Sequence, residues 1–244
     1  MSIHLTGKGM KRTYAGLETD GFTIIPDVFS DAAISGMIDV INHTDQSGPL
    51  FRKTADLFAI RRFLQEVPAI RELVFSERFT DIVHEVAGAD YFPVKSIYFD
   101  KPGQSNWLVA WHQDLTISVD KQLPVAGYDG WTEKQGQYSV HPPQEILENI
   151  YTIRIHLDDT DGNNGALKVL AGSHRKGIYR PDSIDLAETP EVVCEVPKGG
   201  IMIMRPLLMH ASGRTNNGHN RRVIHIEFSN RPLAGGLNWA EGVL

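Results

Sequence analysis

WLVAWHQDLTISV, residues 107–119, places Trp107, Val109, Trp111, Leu115, Ile117 and Val119 at odd positions, and His112, Asp114, Thr116 and Ser118 at even ones. Side chains alternate across a strand, so this pattern reads as a strand with one packed and one polar face. The same period of two returns in KSIYFDK (95–101), IYTIRIHLDD (150–159), ALKVL (166–170), EVVCEV (191–196), GIMIM (200–204), PLLMHAS (206–212) and RRVIHIEFS (221–229). Gly, Pro, Asn and Asp separate many of these runs, as strand ends require. Eight short strands predict a β-sandwich or barrel core.

Upstream the pattern is helical. Ser30-Asp31 can cap a helix over about 32–43, with Ile34, Met37, Ile38 and Ile41 on one face. Pro68 opens a second helical stretch reaching to about Gly88, with Ile70, Leu73, Val74, Phe79, Ile82, Val83 and Val86 as its apolar set. The fold class is therefore α+β, mainly β. No repeat or linker divides the chain, so residues 1–244 read as one domain. Residues 120–148 hold Pro, Gly, Tyr and Trp with no strand period, which predicts a lid-like insertion.

Composition narrows the function. The 244 residues are 41% hydrophobic and 22% charged, the balance of a globular rather than a disordered chain. Thirty acidic residues against 24 basic ones give a net charge of −6 with the basic residues spread out, which argues against nucleic acid as a partner. No apolar run nears the roughly 20 residues of a membrane helix, and MSIHLTGKGMKR has no apolar core of a secretory signal. A single cysteine, Cys194, excludes an internal disulfide and suits the cytoplasm; it reads as a small core residue.

The chemistry gathers around the quoted run. In a strand, His112 and Asp114 point the same way, and an imidazole beside a carboxylate can bind a divalent transition metal. An isolated His-x-Asp is more often a plain hydrogen-bonded pair. Here His210, on a shared face with Leu208 and Ser212, offers a third ligand. Two histidines and one carboxylate make the facial set of non-haem iron oxygenases. Arg221 follows His210 by eleven residues and shares a face with Val223 and His225, opposite Ile224, Ile226 and Phe228. With the apolar face packed outward, Arg221 looks into the cavity and can hold a carboxylate bidentately. The same three ligands could instead hold zinc on a cupin-like barrel, giving a metal-dependent hydrolase or isomerase.

GFTIIPDVFSDAAI (21–34), WHQDL (111–115), GNNGALKVLAGSHRKG (162–177) and PKGGIMIMRPLLMHASGRTNNGHNRR (197–222) together resemble the phytanoyl-CoA dioxygenase family of Fe(II)/2-oxoglutarate-dependent oxygenases. The resemblance implies a double-stranded β-helix (jelly-roll) core flanked by N-terminal helices. It implies Fe(II) on His112, Asp114 and His210, and the far carboxylate of 2-oxoglutarate on Arg221 with Ser212 assisting. Ile97 falls where the family carries a residue beside the cosubstrate. The implied reaction consumes O2 and 2-oxoglutarate, releases succinate and CO2, and hydroxylates a small or medium organic molecule through a ferryl species. Related halogenases lack the carboxylate, so Asp114 points to hydroxylation or another oxidation rather than halogenation.

The substrate is named by neither pattern nor resemblance. Lys95 shares the face of Ile97, and Arg154 lies about where some relatives carry an aromatic residue. His156 shares a polar face with Thr152 and Arg154. Lys95, Arg154 and His156 are the candidate substrate contacts, and Lys95, Arg154 and Arg61 or Arg62 hint at an anionic group. Trp107, Trp111, Tyr128, Trp131 and Tyr138 read as packing, and His225 and His141 as polar core or loop. Gly165, Gly172, Ser173 and His174 read as turn geometry.

Overall fold

Alternating burial drives the strand-like runs into two facing sheets. The computed structural model describes residues 14–45, 47–54, 58–183 and 189–242. Its strands are β1 (Phe22–Ile25), β2 (Phe51–Lys53), β3 (Phe58–Arg61), β4 (Phe92–Lys101), β5 (Val109–His112), β6 (Ile117–Val119), β7 (Asp129–Lys134), β8 (Gln137–His141), β9 (Tyr151–His156), β10 (Leu167–Leu170), β11 (Glu191–Cys194), β12 (Ile201–Met204), β13 (His210–Ser212) and β14 (Arg221–Ser229). The larger sheet runs β1-β12-β9-β14-β4-β3-β2, the smaller β11-β10-β13-β5, and a third β6-β8-β7. The two larger sheets form an antiparallel jelly roll.

The register shows why each face is used as it is. On β14, Val223 lies opposite Phe99 and His225 opposite Ile97 of β4. Ile224, Ile226 and Phe228 point the other way and join Tyr98, Ile153, Ile155, Ile201 and Ile203 in the main core. That outer face is covered by the helix Asp31–Asn42, which buries Ile34, Met37 and Ile41. Ser30 starts this helix as expected, its Oγ accepting the Ala33 N–H at 3.2 Å. Between the sheets, Leu167, Val169, Cys194, Met202, Met204 and Leu208 form a second cluster.

Three expectations change. The stretch after Pro68 is not one helix but a 3-10 turn (Pro68–Ile70) and helices Arg71–Val74 and Glu77–Val86. Extended backbone at Ser76 (ψ 154) breaks it while preserving the apolar face. The run 107–119 splits into β5 and β6, which belong to different sheets. Third, residues 120–148 are not devoid of strands. They contain the β7–β8 hairpin, turning through Gln135 (φ 56) and Gly136 (φ 74), as a two-residue turn with left-handed central residues demands. The period is hidden because β7 is largely exposed on both faces. Tyr128, Val140 and Leu147 pack this insertion against Val119 and Trp239.

Candidate metal centre and cosubstrate cavity

His112 ends β5 and His210 begins β13, and the two residues are antiparallel partners across that strand pair. Register alone therefore brings their rings together, with centroids 4.2 Å apart. Two residues on, the Asp114 N–H donates to the Pro206 carbonyl at 3.0 Å, tying the turn after β5 to the segment leading into β13. Asp114 Oδ1 is then 3.9 Å from His112 Nε2, and Oδ2 is 3.8 Å from His210 Nε2. The three candidate ligand atoms all lie within 4.8 Å of one another. Ligands bonded to one transition metal at about 2.1 Å sit roughly 3 Å apart, so a small inward shift closes the set.

Both rings are oriented from behind. His112 Nδ1 lies 2.8 Å from the Ala110 carbonyl and His210 Nδ1 2.8 Å from the Leu208 carbonyl. Each Nδ1 can donate there, which leaves the Nε2 lone pair for a metal. Burial, only partly opposed by Asp114, pulls the His210 imidazole down to about 4. Burial works to raise the Asp114 carboxyl, but His210, Lys95, His225 and His112 outweigh it and bring it to about 2. At neutral pH His210 is neutral and Asp114 ionised, the states that metal ligation needs.

A cavity of about 200 Å³ separates these ligands from the larger sheet. Its walls are His112, Val109, Leu167, His210 and Ser212 from the smaller sheet, and Lys95, Ile97, Phe99, Arg154, Arg221 and His225 from the larger. Arg221 is buried, and its Nε and Nη1 have no hydrogen-bond partner. Burial, with repulsion from Arg154, lowers this guanidinium to about 9, still protonated at pH 7. An unmatched buried cation is costly, so the cavity is built to receive an anion at this end. A dicarboxylate reaching from the metal ligands to Arg221, past Ser212, fits that donor set.

The remaining candidates divide. Ile97 lies on the wall. Lys95 also faces the cavity, but its amine is held by Glu227 at 2.7 Å. Arg154 lines the cavity, with Nη1 3.2 Å from His225 Nδ1. His156 is buried with its Nδ1 2.7 Å from Thr160 Oγ1 and is not among the cavity residues. Arg61 donates to Gln135 and Arg62 to the Ala240 carbonyl, away from the cavity. No residue of 120–148 lines it. Two wall residues were read as packing or polar core: Trp107, stacked on Phe99 with centroids 6.5 Å apart, and His225. The shared face of Arg221 and His225 carried the signal for the second. Gln113, pointing away from the ligands, donates to the Gly177 and Leu207 carbonyls and accepts from the Tyr179 N–H, bracing the ligand turn.

A family model described as phytanoyl-CoA dioxygenase (PhyH) matches residues 17–223. No curated protein matches the chain. Among solved structures, AviO1 from Streptomyces viridochromogenes Tue57 is 20% identical with a TM-score of 0.63, covering 93% of this chain and 97% of its own. EctD from S. alaskensis is 19% identical with a TM-score of 0.68, covering 89% and 76%. HygX from Streptomyces hygroscopicus, solved with nickel and 2-oxoglutarate bound, is 16% identical with a TM-score of 0.62, covering 90% and 86%. These likenesses show the fold.

Proposed function

The chain belongs to the phytanoyl-CoA dioxygenase family, and from that premise we propose that it is an Fe(II)- and 2-oxoglutarate-dependent dioxygenase that hydroxylates a small or medium organic molecule. His112, Asp114 and His210 would hold the iron, and Arg221, with Ser212, the far carboxylate of 2-oxoglutarate. Bound iron supplies dioxygen activation, coupling decarboxylation of the cosubstrate to succinate and CO2 with oxidation of a C–H bond.

The chain's own residues do the positioning. The Ala110 and Leu208 carbonyls hold the two imidazoles with Nε2 inward. Asp114 remains ionised and offsets part of the metal charge. Arg221 fixes the cosubstrate's far end, which sets the direction in which its near end points. Ile97, Phe99 and Leu167 keep water from the reacting region.

The observation that carries this reading is the convergence of three ligand atoms within 4.8 Å on a cavity that also contains the unpartnered guanidinium of Arg221. Oxygen uptake and succinate release, each requiring added Fe(II) and 2-oxoglutarate, test it. A metal-dependent hydrolase or isomerase would release no succinate. The described residues include no helix long and apolar enough to cross a membrane. The single, buried thiol of Cys194 supports a cytoplasmic location, which cell fractionation tests.

A further inference from the structure

Charge in the cavity does not balance once the proposed cosubstrate is counted. Lys95 and Glu227 cancel at 2.7 Å. The remaining acidic and basic side chains on the wall are Asp114, Arg154 and Arg221. A ferrous ion and these three groups leave a formal excess of three positive charges, and the two carboxylates of 2-oxoglutarate remove two. Lys101, fully buried beside Arg221 with its amine on the Gly213 carbonyl, adds to the excess rather than relieving it.

The unmatched charge belongs to Arg154. Among the described residues no carboxylate lies within 4.0 Å of its guanidinium; its neighbour is neutral His225, and its Nε is buried without a partner. Arg154 is only 8% exposed. Arg154 enters the cavity from β9, facing His225 across the β9–β14 pair, whereas Arg221 enters it from β14, four residues before His225 and near enough for the two guanidiniums to repel. Burying such a cation without an anion costs several kcal/mol in general, and a ligand that supplies one recovers it.

Resting on the oxygenase reading, we propose that the substrate is a small carboxylic acid whose carboxylate is bound by Arg154. The planar guanidinium fork pairs bidentately with a carboxylate, a smaller group than a phosphate monoester. The cavity's 200 Å³, already shared with 2-oxoglutarate, favours a small molecule or the narrow end of a longer one.

The test uses the full chain, loaded anaerobically with Fe(II) and saturating 2-oxoglutarate. Straight-chain carboxylates of four to eight carbons and their matching primary amides are titrated, following the charge-transfer absorption of the iron–cosubstrate complex. Carboxylates are expected to perturb it with dissociation constants at least tenfold below those of the amides. Arg154→Met should erase that preference, and Arg154→Lys, which keeps the charge but loses the planar fork, should retain part of it. Affinity for 2-oxoglutarate should change less than threefold in both variants. Equal binding of acids and amides, no effect of carboxylates, or a preference surviving in Arg154→Met would overturn the proposal. So would a tenfold loss of 2-oxoglutarate affinity in Arg154→Lys, which would assign Arg154 to the cosubstrate. A wild-type protein lacking the absorption altogether would instead defeat the oxygenase reading itself.

Discussion

At Asp114 a single carboxylate sits between two imidazole Nε2 atoms, 3.9 and 3.8 Å away, so its charge rather than its size is what a metal would use. Asp114→Asn keeps the shape and removes the charge. Fe(II) affinity is expected to fall by at least about 100-fold in an anaerobic metal titration. Arg221→Met tests the other end: losing one partner of a buried charge pair costs about 2–5 kcal/mol, so KM for 2-oxoglutarate should rise at least 30-fold. Unchanged cosubstrate affinity in that variant would remove Arg221 from the role. These residues were legible because strand alternation fixes the face of His112, His210 and Arg221 once the strands are found, whereas Asp114 lies just past β5 and is held by its N–H on the Pro206 carbonyl. The occupation of Lys95 by Glu227 was not legible. Its partner lies 132 positions away, and only the β4–β14 register sets the two opposite each other.

Among the elements, β14 matters most for the site, since it contributes Arg221 and His225 inward and Ile224, Ile226 and Phe228 outward. Its start is held against the end of β4 by a close backbone approach. A Cβ on Gly103 would stand 2.0 Å from the Gly218 carbonyl oxygen and 2.9 Å from the His219 nitrogen. Both contacts are backbone, so Gly103→Ala should cost about 1–3 kcal/mol in denaturant unfolding and weaken 2-oxoglutarate binding by shifting Arg221. Wild-type stability in Gly103→Ala would show that the loop yields freely. Element type was readable wherever one face was apolar, as on β9, β12 and β14. It was not readable on β7, where residues are exposed on both sides and the only cue was the Gln135-Gly136 turn.

Over the whole molecule, burial keeps several histidines neutral. Desolvation comes first in lowering His210 to about 4 and His156 well below 6.5, with the nearby arginines adding to the effect at His156; His225 is lowered for the same leading reason. As pH falls through 6.5, the unfolded chain takes up protons that the folded chain refuses, so stability present above that pH is lost on the way toward 4. Each such group contributes up to about 1.4 kcal/mol per pH unit. The melting temperature of metal-free protein should therefore drop steadily between pH 7 and pH 5; a flat profile would contradict neutral burial of these rings. The two-sheet core was foreseeable from eight alternating runs. The short strands β2 and β3 at one end of the larger sheet and the third sheet were not, because their residues lack a long alternating run of their own.

The most direct measurement is the visible spectrum of the metal-free protein after anaerobic addition of Fe(II) and then 2-oxoglutarate. A charge-transfer band that appears only with both, is lost in His210→Ala, and needs far more 2-oxoglutarate in Arg221→Met is the expected result. A wild-type protein that binds iron with one equivalent per chain yet gives no band at any 2-oxoglutarate concentration would contradict a shared iron and cosubstrate site between the two sheets.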